Sequence, residues 1–174
     1  MSKKNKLILG DVLGMIILIL ADQFTKYLAV IHLKDKPVIP IIQDVLELSY
    51  LENRGAAFGM LQNQKIFFVF VASIILAVIV YVIYKMPVDR KYNKLHVFLT
   101  FIASGAIGNM IDRLRLDYVV DFISFVLIHF PIFNVADIYV TVATAFLVIL
   151  ILFFYREEDL RFLSFKQTKY RELK

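Results

Sequence analysis

Apolar residues run through this chain in four long blocks, at positions 7–33, 66–84, 95–114 and 134–155. Each is close to or above the ~20 residues an α-helix needs to cross a hydrocarbon layer about 30 Å thick. Four transmembrane helices are therefore predicted. The first block follows Lys3, Lys4 and Lys6, as the core of a secretory signal peptide would. Its apolar run, however, continues through Phe24 and positions 27–31 with no small-x-small cleavage site, which predicts an uncleaved span.

The polar intervals differ in character. In the stretch 35–64, Pro37 and Pro40 oppose a helix, and Leu46, Leu48 and Tyr50 alternate with Glu47 and Ser49. That is the period of a half-buried strand, so a small β-sheet lying on the membrane surface is predicted. It ends in the run from Glu52 through Asn53, Arg54, Gly55, Ala56, Ala57 and Phe58 to Gly59. Such a run is either a tight turn or a place where backbone comes close to a ligand. Residues 117–133 read as an amphipathic interfacial helix closed by Pro131. Asn134 stands where the N-cap of the last helix belongs, with Asp137 at its third position. The tail 156–174 is polar.

Composition agrees with a bilayer as solvent. Of the 174 residues, 60% are hydrophobic and only 20% charged, with a mean hydropathy of +0.72. A water-soluble domain could not cover itself with that mixture. With no cysteine, disulfides, thiolate metal sites and a cysteine nucleophile are excluded. The net charge of +5 invites a nucleic-acid reading, but the basic residues flank apolar blocks and form no stripe interleaved with stacking aromatics. Thirteen of the twenty Lys and Arg fall in the N-terminus, the 85–94 loop and the tail. The positive-inside rule then puts both termini in the cytoplasm, and gathers the sheet and the interfacial segment at the outer leaflet. There is no internal repeat, and one membrane-embedded domain over 1–174 is expected.

The candidate chemistry lies between positions 103 and 137. Asn109, Asp112, Arg113, Asp121, Asn134 and Asp137 stand among residues otherwise suited to lipid. A central Asp costs about 2.5–3.5 kcal/mol to insert, so such residues need a partner or a purpose. Asp121 and Asp137 are singled out. If the fold brings them together they share a proton, and such a pair can hold a water, deprotonate it for attack on a carbonyl and protonate the leaving amine. The N-terminus of the last helix favours the charge on Asp137, leaving Asp121 as the protonated partner. Taken singly, Asp137 could equally be only a cap partner. Asp112 reads as a structural ion pair with Arg113 and Arg115. Asp22 and Lys26, four apart, either only neutralise each other or face a site. His32, His96 and His129 are scattered without metal-ligand spacing, and Ser104 and Ser124 lack a placed base.

Five segments, in this order, resemble those of the lipoprotein signal peptidases, or type II signal peptidases. They are Asp22-Gln23-Phe24-Thr25-Lys26, Asn53-Arg54-Gly55-Ala56-Ala57-Phe58, Gly108-Asn109-Met110-Ile111-Asp112-Arg113, Val119-Val120-Asp121-Phe122 and Phe133-Asn134-Val135-Ala136-Asp137. The resemblance implies an α-helical membrane bundle of four spans with an outer-leaflet β cradle and a short interfacial helix. It implies an aspartyl endopeptidase that cuts diacylglyceryl-modified bacterial prolipoproteins before the lipidated cysteine. Asp121 and Asp137 would be the catalytic pair. Asn53, Arg54, Gly55, Ala56, Gly108, Asn109, Asp112, Arg113, Asn134 and Ala136 would orient the pair or the substrate, and Asp22 and Lys26 would shape the site. No cofactor or metal is expected. The partners would be lipid-modified prolipoprotein and membrane lipid, and a four-helix bundle can be complete as a monomer. The rival readings are a small proton-coupled transporter using the same acids as a relay, and a structural subunit. The clustering of polar residues at one interface argues against a relay, which needs stations at several depths.

Overall fold

The computed structural model describes residues 1–56 and 60–164. Among the described residues, four helices are long and apolar enough to cross a membrane: α1 (Lys3–Leu33), α2 (Lys65–Lys85), α3 (Asn93–Leu116) and α4 (Val135–Phe153). Ser2 caps α1 by accepting the Asn5 N–H at 3.1 Å, so that helix starts before its apolar block. Helix α3 is the centre of the bundle, with α1, α2 and α4 all packed on it. Its buried face is rich in small residues, among them Ala103, Ser104, Gly105 and Gly108. In lipid, helices associate through close packing and polar contacts rather than hydrophobic burial, and small residues allow that approach. A Cβ at Gly105 would run into the carbonyl oxygen of Ala136 and the side chain of Val140, so only glycine lets α4 lie this close.

Strands β1 (Ile39–Ile42), β2 (Leu46–Asn53) and β3 (Val119–Phe125) form an antiparallel sheet in the order β1-β2-β3. The alternating 46–50 stretch lies in β2 as expected. The third strand was not expected. Residues 117–133 do not form an amphipathic helix: most of the first half is β3, and only Val126–Ile128 makes a single 3-10 turn. The reason is visible in the residues. Asp117 takes a left-handed conformation (φ 69°) and ends α3, and the β-branched and aromatic run behind it suits a strand once β2 offers a partner. Ala29 and Leu33 of α1 pack against Val120 and Phe122 of β3, which fixes the sheet to the bundle.

At the other end, Glu157–Leu163 forms a 3-10 helix that returns to the α2–α3 connection. Tyr92 Oη donates to the Asp159 carbonyl at 2.8 Å, Lys91 pairs with Asp159, and the Tyr92 and Phe162 rings meet edge to face. Ala57, Phe58 and Gly59 of the predicted loop, and the tail beyond residue 164, lie outside the described residues.

Candidate active site

Three chain segments converge where the sheet meets α3 and α4. β3 carries Asp121, 1% exposed. Asn53, the last residue of β2, donates to Asp121 Oδ2 at 2.8 Å, and its own Oδ1 accepts the Gly55 N–H at 2.9 Å. Asn134, fully buried, donates from Nδ2 to Asp121 Oδ1 at 2.6 Å.

The same Asn134 caps α4. Its Oδ1 accepts the Asp137 N–H at 3.1 Å, and Asp137 Oδ2 accepts the Asn134 N–H at 3.1 Å. This reciprocal capping box satisfies two helix-end donors and fixes the Asp137 carboxylate at the helix N-terminus. Asn109 of α3 donates to Asp137 Oδ1 at 2.7 Å. One asparagine thus touches both acids, and each acid holds a second asparagine. Both acids line a cavity of about 400 Å³ whose other walls include Phe130, Phe133, Ile138 and Val142. Burial, with the nearby charge of Asp137 second, pushes the Asp121 carboxyl up to about 7 from its ordinary 3.8.

Behind this layer lies an ionic one. Lys26, 3% exposed, sits 3.0 Å from Asp22 Oδ2 and 2.9 Å from Asp112 Oδ2. It also donates to Asn109 Oδ1 at 2.9 Å. Asp112 therefore pairs with Lys26 rather than with Arg113 and Arg115, because its side chain faces α1 and the start of β3, where it accepts the Val120 N–H at 3.2 Å. Asp22 Oδ1 accepts the Ala136 N–H at 2.9 Å, another of the open donors at the N-terminus of α4. Gly108 lies so close that a Cβ there would come within 2.5 Å of Asp22 Oδ2.

Arg113 closes the remaining side. It donates to the Gly55 carbonyl at 3.1 Å and lies over the Phe68 ring at 4.5 Å, which ties the loop after β2 to α3. Ala56 follows in that loop and lines the cavity. The Arg54 side chain points elsewhere, to Glu52 at 3.5 Å and over the Tyr118 ring at 5.3 Å.

Sequence reasoning passed over Gln23, whose Nε2 donates to Asp112 Oδ1 at 2.9 Å, to Asp22 Oδ2 at 3.2 Å and to the Gly108 carbonyl at 3.2 Å. A glutamine on an apolar helix beside an ion pair was the available signal. It also gave His96 no partner, whereas Nδ1 of that ring lies 2.6 Å from Asp11 Oδ2, far from the acid pair in sequence. Among the described residues, no group of three His, Cys, Asp or Glu could hold a metal ion.

A buried acid and a half-buried one lining one cavity, beside four helices apolar enough to span a bilayer, define a class of membrane proteins with an acid pair in their bundle. The family model described as Signal peptidase (SPase) II matches residues 14–153. The lipoprotein signal peptidase of Caldanaerobacter subterraneus subsp. tengcongensis is 47% identical over 133 residues, covering 76% of this chain and 88% of that one. That of Clostridioides difficile is 44% identical over 147 residues, covering 82% and 95%. A bacterial membrane enzyme solved by the in meso method at 2.3 Å superposes with a TM-score of 0.71 at 31% identity, covering 92% of this chain and 94% of that one. The chain belongs to the lipoprotein signal peptidase family. It is a multi-pass bacterial membrane protein and a peptidase.

Proposed function

We propose that the chain is an intramembrane aspartyl endopeptidase. It removes the signal peptide from diacylglyceryl-modified prolipoproteins by cutting before the lipidated cysteine. The observation that carries the reading is Asn134, which donates to Asp121 and exchanges two hydrogen bonds with Asp137. Two carboxyl groups bonded to one residue, Asp121 to its side chain and Asp137 to its backbone N–H, line the same cavity.

In the proposed reaction Asp137, at the positive end of α4, is the ionised acid, and Asp121 holds the proton. Asp137 takes a proton from a water, whose oxygen forms a bond to the scissile carbonyl carbon. Asp121 gives its proton to the carbonyl oxygen. The resulting diol collapses as the C–N bond breaks: Asp137 passes its proton to the leaving amine, and Asp121 recovers one from the diol. The asparagines keep the acids oriented through both steps. Cofactors and nucleic acid have no part in this reading.

The lysine-rich ends support a reading with both termini in the cytoplasm and the site near the outer leaflet. There a lipidated peptide arrives laterally. The chain acts as one domain and as a monomer. The test is incubation with a diacylglyceryl-modified prolipoprotein, read as a gel shift. Wild type is expected to cleave, and Asp121→Asn and Asp137→Asn to fold without cleaving. Cleavage by both variants would end the aspartyl reading.

A further inference from the structure

Strand β2 carries a bulge just before it reaches the acid pair. Leu48 stands opposite Ile123, but Leu51 stands opposite Asp121, so three steps along β2 match two along β3. Residues paired across an antiparallel ladder share a face, and faces alternate along a strand. The extra residue therefore puts Leu51 and Asn53 on the face of Asp121, and Glu52 on the opposite face with its partner Val120. Beyond the bulge the rungs are those of Leu51, Glu52 and Asn53, where the strand ends. Strand ends of this kind fray readily. Yet Asn53, on the last rung, holds Asp121 at 2.8 Å.

Glu52 occupies the middle rung and gathers donors on the far side of the sheet. Its Oε1 accepts from Lys34 Nζ at 2.9 Å and from the Tyr50 hydroxyl at 3.3 Å, and Arg54 Nη2 lies 3.5 Å from its Oε2. Lys34 is the C-cap residue of α1, so this pair ties the end of that helix to β2. Tyr118, the residue before β3, lies under the Arg54 guanidinium at 5.3 Å, and its hydroxyl is 3.5 Å from that of Tyr50. The hydrogen bond from Lys34 holds the Glu52 carboxyl below its ordinary range. One carboxylate thus joins α1, β2 and the approach to β3. We propose that Glu52 is a positioning residue for the acid pair: clamped to Lys34, it keeps the last rungs of β2 in register and so keeps Asn53 on Asp121. Its effect on rate rests on the reading of Asp121 as the acid that holds the proton. Two routes from Glu52 to Asp121 have opposite signs. The Asn53 hydrogen bond favours the ionised form of Asp121, so losing that bond moves the Asp121 titration up. A carboxylate acting through space disfavours that form, so removing its charge moves the titration down.

The test follows the Asp121 titration by carbon NMR, which needs no turnover, beside the pH profile of kcat/KM on a diacylglyceryl-modified prolipoprotein. Glu52→Ala is expected to raise the Asp121 titration by roughly 0.5–1 in pH. It should lower kcat roughly ten-fold, the scale of a displaced catalytic group, and leave KM nearly unchanged. The melting temperature in detergent should hold, because Lys34 and Glu52 are 39% and 31% exposed and a pair that open adds little stability. Glu52→Gln still offers an oxygen to Lys34, so it should keep most of the rate and show no upward shift. Added to Asn53→Ala, the Glu52→Ala change should raise the titration no further, since its effect passes through Asn53. An unmoved or lowered titration in Glu52→Ala would overturn the inference, as would an equal upward step in both backgrounds. A loss confined to KM would put Glu52 against the substrate and overturn it too. A titration that rises in Glu52→Ala while the alkaline limb of kcat/KM stays in place would support the clamp and overturn the acid reading of Asp121.

Discussion

Lys26 donates to Asn109 Oδ1 across 2.9 Å, and with Asn134 Nδ2 at 3.2 Å from the same oxygen this contact sets which way the Asn109 amide faces. With Oδ1 held by the ammonium, Nδ2 is left to bond Asp137 at 2.7 Å. An amide turned the other way would set its oxygen against the carboxylate. Lys26 also neutralises Asp22 and Asp112 where all three side chains are buried. Lys26→Met is expected to leave two uncompensated carboxylates and to cost about 3–5 kcal/mol of stability. Lys26→Met combined with Asp112→Asn should recover part of that stability but not the full cleavage rate, since the Asn109 amide has lost its shorter, charged anchor and keeps only Asn134. Thermal unfolding in detergent beside a cleavage assay separates the two effects.

Asn134 serves the helix and the acid pair through different atoms, and Asn134→Asp divides them. Aspartate caps a helix about as well as asparagine, so α4 should persist by circular dichroism. It cannot donate to Asp121, and it brings a third carboxyl group to the cavity. Cleavage is expected to fall by about 10²-fold, the scale of a misplaced acid–base group. Full activity in this variant would show that the Asn134–Asp121 hydrogen bond is dispensable.

The pH dependence follows from Asp121. Its carboxyl titrates near 7 in the fold, above its ordinary 3.8, because burial and the Asp137 charge disfavour its ionisation. The proposed reaction needs that proton, so kcat/KM should decline as pH rises through about 7. Stability carries the same sign. A raised pKa favours the folded state fully below 3.8, and the advantage is lost as pH rises through about 7. In Asp137→Asn the neighbouring charge is gone, and the Asp121 titration followed by carbon NMR should move to lower pH. A titration that stays in place would remove Asp137 from the causes.

Gly105 tests the packing beneath the acids. A methyl group there meets the Ala136 carbonyl and Val140, so Gly105→Ala must push α4 away from α3. Overpacking of this kind costs about 1–3 kcal/mol. Because Ala136 adjoins Asp137, the substitution should also lower kcat. A fully active, equally stable Gly105→Ala would mean that the α3–α4 contact tolerates more space than the backbone indicates.

The four spans were legible because hydropathy over twenty residues is a local property. The Asn134–Asp137 cap was legible for the same reason, since its partners lie three positions apart. The Asp22–Lys26 pair followed from one turn of helix. What escaped was settled by distant chain. Residues 119–125 become a strand only because β2 lies alongside, and no window of local periodicity contains that partner. Asp112 has Arg113 and Arg115 beside it in sequence, yet it takes Lys26, 86 positions away, because α1 crosses α3 at that level. The resemblance to the family marked Arg54 for the site; in the fold its side chain is exposed and meets Glu52 and the Tyr118 ring.

The antiparallel partner that holds Asp121 is made well before the helix that carries Asp137. A nascent polypeptide halted before residue 134 has β2 and β3 but neither Asn134 nor the second acid. On the proposed reading, the protease is inert throughout its own translation and membrane insertion. It gains cutting power only when the final helix docks, so neighbouring polypeptides leaving the same insertion machinery meet a harmless scaffold until that moment.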